Sequence, residues 1–279
     1  MDPLIVSLQQ TQTVAMLAGL AALSLAEHAH PFFAFFREDR RSRSRHAIRN
    51  LALGALNALA ISFGFVWLWF AATVWAEVHR FGILHWLTDL WSLSNGVRAI
   101  GAFVLIDAWM YGWHRINHRI PWLWRFHRVH HADPFMDVTT ASRFHLGEIV
   151  LSSLLRVPVL ALAGVHLWEL VVYETVMFVV VQTHHANIAF PEKLDRFLRA
   201  VIVTPAMHKV HHSRWRPETD SNYGSLFSFW DRVGRSFRLR PDLSSLRLGL
   251  DELDDERHQT VSGLLNVPFE HIERRESHP

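Results

Sequence analysis

Three stretches of the chain repeat one arrangement of imidazoles: His114-Arg-Ile-Asn-His118, His127-Arg-Val-His130-His131 and His208-Lys-Val-His211-His212. Histidines three and four residues apart share a helix face, so each block is expected to present its rings to a single point. The neutral ring nitrogen is a ligand for iron, zinc, copper and nickel, so the pattern specifies a transition-metal site without naming the ion. His184 and His185 raise the candidate ligands to ten, whereas one ion accepts roughly four to six. Either several of them serve from outside the coordination sphere, or two ions share one histidine cage.

The elements that carry these blocks are apolar helices. Half of the 279 residues are hydrophobic, with 12 Trp and 19 Phe, and there is no Cys. That absence removes disulfides, thiolate-bound zinc, iron–sulfur clusters and a thiol nucleophile together. A formal net charge of +2 gives no case for nucleic acid. The start, Met1-Asp2-Pro3, lacks the positive region of a cleaved signal, so the first apolar stretch is expected to be retained. Residues 50–76 are apolar and uncharged over a length that crosses a bilayer core. Residues 11–36 form a second expected span, interrupted by Glu27, His28 and Pro31, and residues 97–113 a third, which carries Asp107. Residues 149–182 read as a hairpin of two crossings, bent or kinked at Pro158 or Gly164.

Charge sets the orientation. Arg37, Arg40, Arg41, Arg43, Arg45 and Arg49 crowd one connection, which the positive-inside rule places in the cytoplasm. Counting crossings from there brings every histidine block to that same side. Residues 78–95, with Trp86 and Trp91, then lie along the opposite interface. From Phe190 the composition turns polar and Arg-rich, punctuated by Pro191, Pro205, Pro217 and Pro241, as a cap carrying the third block would be. The expectation is therefore an all-α integral membrane bundle of about four to five transmembrane segments with a cytoplasmic helical cap and a histidine-rich dimetal site.

The order HxxxH, HxxHH, membrane hairpin, HxxHH resembles the fatty acid hydroxylase superfamily, which includes sterol desaturases, sterol C4-methyl oxidases and carotenoid hydroxylases. Asp107-Ala-Trp-Met-Tyr111, Arg143-Phe-His145-Leu-Gly-Glu148, His185-Ala-Asn187, Asn222-Tyr-Gly224 and Trp230-Asp231 match it as well. The resemblance implies a non-haem di-iron centre, two Fe with O2 as co-substrate, oxidising a lipid C–H bond at the cytoplasmic membrane surface. It implies iron ligation by His114, His118, His127, His130, His131, His185, His208, His211 and His212, with His184 a further candidate and no catalytic residue apart from the metal centre. The organisation expected is residues 1–96 as membrane helices and interfacial segment, 97–240 as a hydroxylase-like catalytic domain and 241–279 as a cytoplasmic tail.

Around the ligands, Asp107 lies one heptad before His114 and is expected to accept a ligand's free N–H, with a salt bridge to a buried Arg as its alternative. His145 is expected to orient a ligand, and Asn187 to stand nearby or serve a turn. Glu148 is open between capping a helix and accepting from a ligand. Trp122 and Trp124 read as headgroup anchors. Arg115, Arg119, Arg125, Arg128, Lys209 and Arg214 suit phosphates. His28, His30, His46, His79, His85, His166, His258, His271 and His278 read as ordinary surface or interface residues.

Two other classes compete with the oxidase. A zinc-dependent hydrolase at the membrane surface would need an open ligand position and a carboxylate base, and no block contains an internal Glu. A haem protein needs only two axial histidines. No dinucleotide, flavin or ferredoxin motif is present, so electrons are expected from a separate ferredoxin, cytochrome or reductase. The substrate class stays at sterol, carotenoid or fatty acyl lipid, and hydroxylation and desaturation both remain open.

Overall fold

The computed structural model describes residues 3–36 and 40–272. Arg37, the Arg40 side chain and His278 lie outside the described residues. Among those described there is no strand, only isolated bridges at Ile202–Phe227 and Ser213–Leu248. Everything regular is helical, as the run of apolar segments predicts.

The first helix, α1 (Pro3–Ala29), starts earlier than the apolar pattern suggests and stops before Pro31, whose ring disfavours helix in the residue before it. It lies against a later helix so closely that a Cβ on Gly19 would meet Gln182 Oε1 at 2.6 Å. Helix α2 (Arg40–Ala60) runs through a π-helical turn, Ile61–Phe65, into α3 (Val66–Val78). The amphipathic α4 (Ile83–Trp91) follows, with Trp86 and Trp91 exposed. Next comes α5 (Asn95–Arg119), capped by the Ser94 hydroxyl, which accepts from Val97 N. It continues past the expected end of the third span and so carries the first histidine block on its last two turns.

Pro121 opens α6 (Pro121–His131), the position at which a missing N–H costs nothing. The expected hairpin is α7 (Leu146–Ala163) and α8 (Leu167–His185). Its bend is at Gly164, in the left-handed conformation with φ +70°, while Pro158 is accommodated inside α7. Gly82 (φ +105°) meets this bend, and a Cβ there would sit 2.5 Å from both Ala161 O and the Gly164 backbone. The α3–α4 and α7–α8 connections therefore touch at one end of the bundle. Short helices α9 (Glu192–Leu198), α10 (Pro205–His211), α11 (Arg216–Thr219), α12 (Phe229–Val233) and α13 (Val261–Asn266) build on the other end.

Among the described residues, three stretches are long and apolar enough to cross a membrane: Pro3–Ala29, Arg41–Trp91 and Leu146–Ala163. Helices α5 and α8, which the sequence also marks as crossings, are not among them. Their polar side chains pair internally. Arg98 of α5 forms a buried ion pair of 3.0 Å with Glu169 of α8, and Glu169 also accepts from His166 N at 2.8 Å. Leu25, Phe63, Trp67 and Val78 remain at least 69% exposed, an apolar exterior of the kind a lipid phase accepts.

The bundle interior is filled by Trp69, Leu84, Ile106, Leu160, Leu170, Tyr173 and Met177. A second cluster joins Leu53 of α2 and Val129 of α6 to Leu250, Leu253, Leu264 and Val267. The segment to which the sequence assigns no chemistry thus packs against the helix bearing the second histidine block. Arg128, buried where the sequence suggests a phosphate-facing cation, holds it by donating to the carbonyls of Val267, Glu270 and Ile272.

Candidate metal centre

Four helices deliver histidines from their last turns: His118 from α5, His130 and His131 from α6, His184 and His185 from α8, and His208 and His211 from α10, with His212 as the α10 C-cap. Two groups result. The ligand atoms of His114, His118, His127, His131 and His211 lie within 4.8 Å of one another, and so do those of His130, His185, His208 and His212. The groups share a wall, where the rings of His131 and His212 stack with centroids 4.5 Å apart.

The expectation that each block aims at one point needs correction for two of the three. In α6, His127 and His131 serve the first group and His130 the second; in α10, His208 and His212 serve the second and His211 the first. Helical geometry explains the split. At about 100° per residue, positions i and i+4 diverge by about 40°, whereas i+3 and i+4 stand about 100° apart. Each HxxHH block therefore sends its i, i+4 pair to one group and its middle histidine to the other, with the assignment exchanged between the blocks. His184 enters neither group. Its ring lies against His208 with centroids 4.0 Å apart, and its Nδ1 is buried without a hydrogen-bond partner.

Five of the nitrogens turned away from the centre are anchored. His114 Nδ1 donates to Tyr223 O at 2.8 Å, His211 Nδ1 to Ser221 O at 2.6 Å and His185 Nδ1 to Val181 O at 2.8 Å. His127 Nδ1 donates to Glu148 at 2.9 Å and His118 Nδ1 to Asp220 at 3.3 Å. These acceptors fix the tautomer that leaves Nε2 free as a ligand. The Nε2 atoms of His114, His127 and His211 are buried and meet no hydrogen-bond partner. In the second group, Nε2 of His185 lies 3.1 Å from that of His130 and 3.0 Å from that of His208, which is 3.2 Å from that of His212. Ligands about 2.1 Å from one ion and at right angles to each other are about 3.0 Å apart. The residues present fit metal ions in both groups.

Burial keeps five of these rings neutral. Desolvation drives His130, His131, His208 and His212 well below the ordinary imidazole range and lowers His211 to about 3. Lone pairs are thereby available at neutral pH.

The surrounding residues expected from sequence prove to act elsewhere. Asp107 touches no histidine and no arginine: it accepts from Tyr173 Oη at 2.7 Å, Trp230 Nε1 at 3.0 Å, Phe227 N at 3.0 Å and Leu226 N at 3.2 Å. Buried Arg98, the kind of partner its alternative requires, belongs to Glu169. His145 caps α7, accepting from Gly147 N and reaching Leu265 O. Asn187 pins the chain after α1 by a reciprocal pair of bonds to Phe33, each 2.9 Å. Glu148, which the sequence leaves open, meets a candidate ligand, His127. Asp220, Ser221 and the Tyr223 carbonyl were missed, because backbone acceptors carry no residue-type signature and Asp220 lies between motifs.

Trp124 is 8% exposed and packs on His118 and His131 instead of facing headgroups. Lys209 is also buried, donating to Ala186 O at 2.8 Å and Ile188 O at 2.9 Å beyond the end of α8; burial lowers it to about 7. It lines a cavity of about 600 Å³ on the side of α10 away from the histidines. Arg214 is tied to Asp251 and Asp254. His46, expected at a surface, is buried between Asp133 at 2.9 Å and Asp137 at 3.3 Å. His85 and His166 face each other at the far end, with ring centroids 5.2 Å apart.

Residues 99–236 match the family described as fatty acid hydroxylase, a stretch that contains all ten candidate histidines. No solved structure matches the chain.

Proposed function

Given that the chain belongs, through residues 99–236, to the fatty acid hydroxylase family, we propose that it is a membrane-bound oxidoreductase. It holds two irons and uses O2 and external electrons to hydroxylate or desaturate a C–H bond of a lipid of the sterol, carotenoid or fatty acyl class. The observation that carries the reading is the convergence of nine histidines from four helices into a group of five beside a group of four. When bound, the irons would supply oxidising power toward an unactivated C–H bond that no side-chain acid or base possesses.

The chain's own residues do the rest. They keep buried rings such as His130 and His208 neutral, fix the tautomers of His114, His118, His127, His185 and His211 through an outer acceptor, and surround the centre with Trp124, Phe144 and Tyr223, so that little water shares the site. A surface zinc hydrolase is less well supported. Five and four imidazoles exceed its usual three protein ligands, and Glu148, the candidate base, is engaged with His127.

The site faces the cytoplasm in this reading. Its support is that α2, which begins in the Arg-rich connection, hydrogen bonds at its start to the histidine end of the bundle: His46 to Asp133, and Asn50 to Thr139. A separate electron-carrier protein would dock on that face.

Two measurements test the proposal. Purified protein should contain two irons per chain and show no haem absorption band. Cells producing it should accumulate an oxidised lipid that is absent with His130→Ala. A product formed equally by that variant, or zinc in place of iron in active protein, would refute it.

A further inference from the structure

The two halves of the histidine cage differ in how their ligands are held from behind, and that difference predicts how they fill. This inference rests on the dimetal reading above. In the five-histidine group, four rings have an outer acceptor: His114 and His211 bond backbone carbonyls, His127 bonds Glu148 and His118 bonds Asp220. His131 is the exception, both its nitrogens being buried without hydrogen-bond partners. In the four-histidine group only His185 has an outer acceptor, the Val181 carbonyl. Nδ1 of His130, His208 and His212 is buried with none.

Three physical effects favour the first group. It has one more ligand. Four of its five rings are already oriented, so binding loses less side-chain freedom. Its two carboxylates make their imidazoles more basic and place negative charge beside an ion whose ligands are all neutral. The second group has neither carboxylate nor, for three rings, any fixed tautomer. Each of those rings can place its proton on either nitrogen, and ion binding must select the form with Nε2 free.

We infer that the cage loads in sequence: the five-histidine group takes its ion first and tightly, whereas the four-histidine group holds an exchangeable ion. Glu148 and Asp220 are the positioning residues responsible. Neither is a ligand, and both act through a histidine.

The test is a titration of metal-free, full-length protein in detergent with Co2+, followed by its absorption in the visible range against a competing chelator. Two resolved steps are expected. Glu148→Gln keeps an acceptor for His127 Nδ1 and removes the charge, and should weaken the first step about 10- to 100-fold while leaving the second in place. Asp220→Asn, on a different segment, should weaken that same step, so a folding defect in one variant does not decide the matter. His185→Ala should abolish the second step and spare the first. Two ions bound with equal affinity, or a Glu148→Gln effect confined to the weaker step, would overturn the inference while leaving a dimetal site standing. Binding of fewer than two ions by the wild-type protein would overturn the dimetal reading itself, and this inference with it.

Discussion

Asp107 offers the sharpest test of how the fold holds the centre. Its carboxylate is fully buried and accepts four hydrogen bonds, two on each oxygen: Tyr173 Oη and Leu226 N on Oδ1, Phe227 N and Trp230 Nε1 on Oδ2. Two of those donors, Leu226 and Phe227, belong to the loop that follows Tyr223, and a third, Trp230, to α12 at its end. That loop is tightened by Asp231, which accepts from Tyr223 N at 2.7 Å and Gly224 N at 3.0 Å. The residues leading directly into that loop supply the Ser221 and Tyr223 carbonyls that orient His211 and His114. Asp107 thus connects α5 to two ligands it never touches.

Replacing Asp107 by Asn turns one acceptor oxygen into an N–H2 facing two donors. Each donor left buried without a partner costs about 1–3 kcal/mol, so Asp107→Asn should destabilise by about 2–6 kcal/mol. Asp107→Ala strands all four donors and should cost more. Tyr173→Phe removes a single donor and leaves the carboxylate three, so it should cost only about 1 kcal/mol. The assay is denaturation of the purified protein together with its metal content. Asp107→Asn should lose metal from the five-histidine group in proportion to its lost stability. An Asp107→Ala protein with wild-type melting and full metal content would refute this account.

The remaining expectations concern acid, the bend and the C-terminal segment. His130, His131, His208, His211 and His212 are neutral in the folded protein because burial lowers them, whereas unfolded histidine titrates near about 6.5. The unfolded chain then binds more protons below that value, so metal-free protein should lose stability as pH falls from 7 to 5, by up to about 1.4 kcal/mol per histidine per pH unit. Equilibrium unfolding that stays level over that window would contradict the burial argument. Gly82→Ala forces a Cβ to 2.5 Å from a carbonyl oxygen at φ +105° and should fail to accumulate as folded protein, while Gly96→Ala meets nothing within 4 Å at the start of α5 and should be neutral or gain up to about 1 kcal/mol, as melting curves would report. Gln259 donates to Ala132 O at 2.9 Å and Leu253 O at 2.8 Å and accepts from Arg143 at 2.7 Å, so Gln259→Ala should loosen the end of α6 by about 1–3 kcal/mol, with equal thermal stability of variant and wild type as the contrary result.

The histidines were legible because three- and four-residue spacing encodes a helix face and because ten candidates exceed one coordination sphere. How the blocks divide was not legible, since the i+3 ring can lean to either side until a neighbouring helix sets the rotation. Apolar length located the α2–α3 run and the α7–α8 hairpin. It misjudged the ends of α1, which starts at Pro3 and stops before Pro31, and of α5, which carries the first histidine block beyond the apolar stretch. It also misjudged Glu27. In the sequence it interrupts an apolar run, yet in the fold it accepts from Val138 N at 2.7 Å and Asn187 N at 2.6 Å, stitching α1 to segments more than a hundred residues away. Asp107 was singled out correctly as a costly buried charge and assigned the wrong partners, because the need for donors is readable from one residue and their identity is not.

One electrostatic consequence follows from the way the histidines arrive. The nine candidate ligands are all imidazoles, so two divalent ions would bring four positive charges into a buried site to which, among the described residues, no carboxylate belongs. Each helix C-terminus carries roughly half an elementary negative charge on its unpaired carbonyls. Helices α5, α6, α8 and α10 all present their candidate ligands from the last one or two turns, so four such ends converge on the centre and together offset about two charges. Glu148 and Asp220 lie behind the five-histidine group and can supply the remaining two. The carbonyls that give this negative potential also need donors. Near α6 and α8 these are buried cations, Arg143 on Val129 O at 3.0 Å and Lys209 on Ala186 O. Histidines placed in the first turns of the same helices could have been just as close in space, but the positive ends of those helices would then have opposed the ions. The direction in which each block is read along its helix is therefore part of the site's chemistry.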